Sequence, residues 1–182
     1  GPAIMAHGTD EQKQRYLPGI LAGELNFAIG YTEPEAGTDL ASLRTSAVVD
    51  GDEFVIDGSK VYTSGANQAD FIWLACRTDA DAPKHKGISI IIVPTDAPGF
   101  EWMPLVTVGD HMTTSTYYSD VRVPVTNIVG ELNAGWQLIT MQLNHERVGL
   151  AALSGLTERL LDDVVAWCRE TPSGTADVEA SN

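Results

Sequence analysis

A chain of 182 residues, 43% of them hydrophobic, holds one good hydrophobic core, or a core with pieces of a neighbour. Eleven basic against 25 acidic side chains leave a formal net charge of -14, which repels phosphate backbones and anionic lipid and excludes a nucleic-acid or membrane-surface role. An anionic cofactor stays open, because backbone N–H groups and local dipoles hold phosphate against an unfavourable overall field.

The first stretch, "GPAIMAHG", reads as the end of an apolar helix running into a turn. In "TDEQKQRYLPGILAGE", residues 9 to 24, Thr9 caps a short helix with Asp10 and Glu11 in its first turn, and Pro18 with Gly19 interrupts it. "GYTEPEAGTD", residues 30 to 39, follows the apolar run "LNFAI". Its glycines and proline fit a simple turn, and they equally fit a loop that brings backbone close to a ligand.

From Leu25 to about Val129 the chain breaks into short β-rich runs divided by turn residues: "SLRTSAVVDG", "EFVIDGSKVYTSG", "FIWLACRT", "GISIIIVP", "FEWMP" and "TYYSDVRVP". "VVDGDEFVIDG" has the pattern of a hairpin, with Asp50 and Gly51 at the turn and Phe54 and Ile56 alternating after it. Trp73, inside "FIWLAC", belongs to a core. Strands at this spacing, without long helices between them, predict an α+β fold whose middle is an antiparallel barrel or sandwich. After Gly135 the period changes, and "WQLITMQLNHERVGLAALSGLTERLLDDVVAWCRE" predicts a helix of roughly 30 residues or more. The closing "TPSGTADVEASN" reads as a loop or disordered tail. Cys76 and Cys168 have no metal-ligand neighbours and read as two buried or partly buried reduced thiols. With no signal peptide and no apolar run of transmembrane length, the expectation is a cytoplasmic protein.

The order "GTDEQKQRYLPGILAGE", "TEPEAGTD", "IDGSKVYTSGANQADFIWLACRT", "DVRVP", "GELNAGWQLITMQLNHER" resembles the flavin-dependent acyl-CoA dehydrogenases over almost the whole chain. The resemblance implies the end of an N-terminal helical domain at 1–24, a middle β domain at 25–130 and the first long helix of a C-terminal helical domain at 131–170, with the tail at 171–182. The family's arginine-phenylalanine-glycine motif for the adenine end of FAD should follow that helix and does not occur, so the chain alone is expected to bind FAD poorly and to be inactive by itself.

By the same resemblance the cofactor is FAD, contacted by Ile29, Thr32, Gly37, Thr38, Tyr62, Thr63 and Ser64. Thr32 matches the threonine serving the pyrimidine end of the isoalloxazine, and Thr38 a serine that bonds the pyrophosphate. Tyr62 stands where many relatives place a tryptophan beside the flavin, and Ser64 where they place a threonine near flavin N5. Read without the family, Tyr62 is an ordinary strand aromatic filling a core. The acidic Glu33, Glu35 and Asp39 read as shaping or outward-facing residues. Removing a proton alpha to a thioester needs a carboxylate in a dry cleft. Glu146, paired with Arg147 in "LNHERVGLA", matches the arrangement of relatives that draw this base from the first long helix and is the candidate base, with a solvated helix face or salt bridge as the alternative; Arg147 would neutralise or orient active-site carboxylates, or equally form a structural ion pair.

"VGDHMTTSTYYSDVRVP" is shortened against the family, and His111 does not inherit the role of the arginine missing there. "TTSTYY" resembles an actinobacterial subgroup, some of whose members pair two related subunits on steroid side-chain CoA thioesters. The implied reaction is alpha,beta-desaturation of an acyl-CoA with electrons passed to an electron-transferring flavoprotein, in a homo- or hetero-oligomer. A non-catalytic partner subunit, a related flavin oxidase or monooxygenase, and a plain β-domain binding module are the other readings.

Overall fold

The computed structural model describes residues 1–171, the side chains at 152 and 153 excepted. Its contacts divide it into two compact units, one from Gly1 to Met141 and one from Gln142 onward. The tail expected to be a loop or disordered lies, from 172 on, outside the described residues.

The first unit opens with α1 (Pro2–His7) and α2 (Asp10–Ala22). Thr9 caps α2 as its sequence indicates: the Thr9 hydroxyl accepts from the Gln12 N–H at 3.2 Å, and the Gln12 amide oxygen accepts from the Thr9 N–H at 3.2 Å. Pro18 does not interrupt this helix, contrary to the sequence expectation. A proline removes one helical N–H, and here α2 is held by packing on either side of the gap, Leu17 before it and Ile20 after it both lying against the core, with further anchors in the preceding turns. Tyr16 packs edge-on against Phe27 and Phe71 at 5.6 and 5.2 Å, and Gln12 Nε2 donates to the carbonyls of Thr126 and Ile128.

Eight strands follow: β1 (Phe27–Gly30), β2 (Ser46–Asp50), β3 (Glu53–Lys60), β4 (Phe71–Arg77), β5 (Ile88–Pro94), β6 (Phe100–Val106), β7 (Met112–Pro124) and β8 (Ile128–Val129). They form one sheet in the order β6-β7-β3-β2-β4-β5-β8, with β1 added parallel to β4. Most neighbours are antiparallel, and β2 meets β4 only at Ser46 opposite Arg77. The sheet does not close into a barrel among the described residues. It folds over itself instead, as a sandwich does.

The two apolar runs of β4 and β5 explain that layering. On one face Trp73, Ala75, Ile88, Ile90 and Ile92 pack with Ile4 and Tyr16 of the helices and with Leu138 and Ile139. On the other, Ile72, Leu74, Cys76, Ile91 and Val93 pack against Phe54, Ile56, Tyr118, Val121 and Val123 of β3 and β7. Strands covered on both faces read as continuous apolar runs rather than alternating ones. The expected hairpin is present, Asp50 opposite Glu53. Its second strand runs on through Asp57 and Gly58, with the register slipping between Ile56 and Gly58. Gly58 has φ +147, and a Cβ there would meet the Thr45 backbone at 2.7 Å, so only glycine fits this crossing.

α3 (Gly135–Glu170) is a single helix of 36 residues, as its periodicity predicts. From Gln142 onward it exposes Leu143, Val148, Leu150, Leu156, Leu160, Leu161, Val164, Val165 and Trp167. Cys76 is buried, but Cys168 is exposed on this helix, which corrects the expectation that both thiols are buried or partly buried.

Candidate functional site

The loop after β1 turns tightly because Glu33 and Ala36 exchange backbone hydrogen bonds of 3.3 and 3.1 Å around Pro34 and Glu35. That turn sends the Glu33 side chain inward. Its Oε2 accepts from the Arg44 N–H at 2.7 Å; its Oε1 accepts from the Thr45 N–H and from Lys60 Nζ, both at 2.8 Å. Lys60 Nζ also donates to the Tyr31 carbonyl at 3.1 Å. The Lys60 side chain is fully out of water and that of Glu33 is 8% exposed. Glu33 therefore shapes the loop, the first of the two roles its sequence offered, and does not face outward. Glu35 and Asp39 do face outward, in exposed pairs with Arg44 at 3.0 Å and Lys84 at 2.6 Å.

Burial alone would raise the Glu33 pKa, but the Lys60 charge and the hydrogen bonds from Lys60 and Thr45 outweigh it and hold the carboxyl below its ordinary value. Burial pulls Lys60 below the usual lysine range, and Glu33 opposes the fall. The Cys76 thiol, buried in the same interior, is pushed up to about 12, first by desolvation. It is an inert core thiol.

Lys60 ends β3, and the chain then passes directly beneath the first loop: the Val61 N–H donates to the Thr32 carbonyl at 2.8 Å. Tyr62 follows in the left-handed region at φ 58, with 66% of its surface exposed. It is neither in a strand nor filling a core. Thr63 is buried; its N–H donates to the Thr114 carbonyl at 2.9 Å, its own carbonyl accepts from Thr114 Oγ1 at 2.5 Å, and its hydroxyl lies 3.3 Å from that of Thr116. The Ser64 hydroxyl is hydrogen bonded to Thr113 Oγ1 at 2.9 Å. A polar run of β7, Thr113 to Thr116, thus props up the second loop from below.

Of the residues singled out from sequence, Thr32 is half-buried and joined to the Val61–Ser64 loop through its carbonyl. Ile29 lies in β1 opposite Trp73 and is 38% exposed. Trp73 is core, its Nε1 donating to the Tyr31 hydroxyl at 3.0 Å. Gly37 and Thr38 are exposed beyond the turn. Glu146 and Arg147 lie in the second unit, both exposed, with Arg147 Nη1 donating to Asn144 Oδ1 at 3.3 Å. Lys60 escaped the sequence reading, as did the buried place of Glu33 and the supporting role of the Thr113–Thr116 run. One signal was present: the alternation of Phe54 and Ile56 on the inward face, continued in even steps, falls on Lys60.

An exposed aromatic ring beside hydroxyls held at fixed positions suits a planar ligand with a hydrogen-bonding edge. The description "Acyl-CoA dehydrogenase, middle domain" matches residues 28–121. The chain belongs to the acyl-CoA dehydrogenase family. The description "Acyl-CoA dehydrogenase, C-terminal domain" matches residues 133–178. Among curated relatives, acyl-CoA dehydrogenase FadE29 of Mycobacterium tuberculosis is 59% identical over 175 residues, 96% of this chain and 45% of that protein. Among solved structures, "Tcur3481-Tcur3483 steroid ACAD" is 71% identical with a TM-score of 0.89, over 94% of this chain and 44% of that one. The ChsE4-ChsE5 complex from Mycobacterium tuberculosis is 61% identical with a TM-score of 0.75, over 79% of this chain and 37% of that one. The chain thus spans less than half the length of these family members. Among the described residues, no helix is long and apolar enough to cross a membrane, and no cluster of three or more His, Cys, Asp or Glu is arranged to hold a metal.

Proposed function

We propose that this chain is a subunit of a two-protein, FAD-dependent acyl-CoA dehydrogenase acting on a steroid-derived CoA thioester, in which it supplies flavin-facing loops while its partner completes the catalytic apparatus. The observation that carries this reading is the 71% identity to a chain of a steroid ACAD named by two components. In this reading residues 1–24 close a helical domain, 25–130 form the middle domain, and 131–170 open the C-terminal helical domain.

The residues present fit the cofactor. Tyr62 offers an exposed ring, and Ser64 a hydroxyl oriented by Thr113. Thr32 and Thr38 offer hydroxyls along one loop, with Ile29 and Thr63 lining and supporting it. An added Cβ at Gly37 would meet nothing of this chain within 4 Å, so close approach of a ligand is what would demand glycine there. FAD, when bound, supplies the electron acceptor for alpha,beta-desaturation. The chain's own residues then exclude water from one side with the Tyr62 ring, and present the Ser64 hydroxyl as a donor where reduction adds charge. The partner that would accept the electrons in this reading is an electron-transferring flavoprotein.

A second reading makes this chain the source of the base. Glu146 is exposed on α3 beside Arg147, open to a substrate thioester. Full-length protein, alone and with its partner subunit, distinguishes the two readings. The complex is expected to show a flavin spectrum that a steroid acyl-CoA bleaches, with bleaching unchanged by Glu146→Gln. Bleaching abolished by Glu146→Gln transfers the base to this chain, and a full-length complex without FAD refutes both. Rapid reoxidation by oxygen without the flavoprotein acceptor would identify a related oxidase.

A further inference from the structure

We infer that the Glu33–Lys60 ion pair is a positioning device for the cofactor: it locks the Thr32 loop and the Tyr62–Ser64 loop into one surface. The inference rests on the flavin reading above. Its geometric basis lies in where the pair's contacts fall along the chain. Lys60 Nζ reaches the Tyr31 carbonyl and the Glu33 carboxylate, the two residues on either side of Thr32. Lys60 itself stands two residues before Tyr62, and between them the Val61 N–H donates to the Thr32 carbonyl. One ammonium group therefore grips both flanks of the first loop from the root of the second.

The other end of the pair is equally fixed. Glu33 takes the Arg44 and Thr45 N–H groups, which tie the turn to the segment entering β2. Tyr31 is anchored to β4 through the Trp73 indole N–H on its hydroxyl. Among the described residues no buried side-chain nitrogen or oxygen lacks a partner, so each polar atom of the cluster is hydrogen bonded.

Energetics argue against stability as its purpose. Removing an ammonium and a carboxylate from water costs so much that a buried pair often does no better than well-packed apolar side chains of the same volume. What an apolar pair lacks is direction. Four hydrogen bonds at 2.7 to 3.1 Å specify where Tyr31, Glu33, Arg44 and Thr45 lie relative to Lys60, whereas methyl groups would let the loops slide. Neither residue touches the cofactor in this scheme. Both act through Thr32 and Tyr62.

The test uses the full-length subunit with its partner and compares wild type with Lys60→Met, Glu33→Gln, the double variant, and Ile91→Val in the sheet core as a control for lost stability. Three readouts are taken: thermal midpoint, FAD dissociation constant by fluorescence titration, and circular dichroism of the bound flavin. Each single variant is expected to lower the midpoint, and the double variant to regain most of the loss because no lone charge stays buried. The double variant is nonetheless expected to bind FAD at least about tenfold more weakly and with altered flavin dichroism, while Ile91→Val keeps wild-type affinity. Wild-type affinity and dichroism in the double variant overturn the positioning role and leave the flavin reading standing. Equal loss of affinity in Ile91→Val overturns it as well, since any destabilised core would then do the same. Wild-type complex without FAD overturns the flavin reading and this inference together.

Discussion

Lys60 and Trp167 belong to two kinds of region. The lysine is fully out of water, and Glu33 and Tyr31, residues of its own chain, accept its hydrogen bonds. The tryptophan, on the part of α3 beyond Gln142, is 62% exposed, in company with Leu156, Leu160, Leu161 and Val164. The difference teaches where each region's free energy comes from. In the first unit, burial and pairing within the chain already fix the structure. In the second, apolar side chains stabilise nothing until something covers them, so that helix acquires its role from its surroundings.

The comparison is tested most severely at Lys60. Lys60→Met leaves the Glu33 carboxylate buried without its cation and is expected to cost about 3–5 kcal/mol of unfolding free energy in urea titrations; a change under about 1 kcal/mol would show that the pair does not hold this region. Next come matched truncations of apolar side chains. Ile91→Ala, in a site with no exposed surface, is expected to cost about 2–5 kcal/mol. Leu160→Ala, 63% exposed, should stay within about 0.5 kcal/mol in this chain. Equal effects at the two positions would erase the distinction between the units.

Acid provides a subtler probe of the same pair. The Glu33 pKa in the fold lies below its ordinary value, which the unfolded chain takes. Its contribution is therefore fully present above that ordinary value and is lost as pH falls through the folded one. The acid limb of a stability-against-pH curve should be shallower in Glu33→Gln than in wild type, and parallel limbs would show that other carboxylates dominate. The smallest effects belong to the two loops themselves. Thr113→Val removes the partner of the Ser64 hydroxyl and is expected to cost about 0.5–1.5 kcal/mol. Gly37→Ala, with open space at its Cβ, should leave the thermal midpoint unchanged while weakening FAD binding in the full-length complex.

Much of this architecture was legible in the sequence because local physics dominated there. The Thr9 cap, the β2–β3 hairpin and the 36-residue α3 each follow from turn chemistry or periodicity, and five ordered motifs pointed to the family. What escaped notice depended on distant partners. Nothing near Glu33 in the chain announces Lys60, which lies 27 residues away. A carboxylate in a polar loop looks solvated until the strand that carries its cation has folded beside it. Pro18 misled for a related reason: propensity counts the missing N–H but not the packing of Tyr16 that holds the helix together. The Thr113–Thr116 run resembled a mark of subgroup, and only strand pairing reveals it as the support of Thr63 and Ser64.

The parallel pairing of β1 with β4 also constrains the order in which the molecule is built. Phe27 aligns with Phe71, and Ile29 with Trp73, 44 residues further along the chain. Closing so long a segment costs entropy before any contact offsets it. β1 is therefore expected to dock, and Tyr31 to meet the Trp73 indole, after β4 has joined β5 through their local antiparallel ladder. The Thr32 loop hangs from the end of β1 and is expected to settle late. On the flavin reading, a chain is then expected to offer FAD its first loop only after β4 is in place.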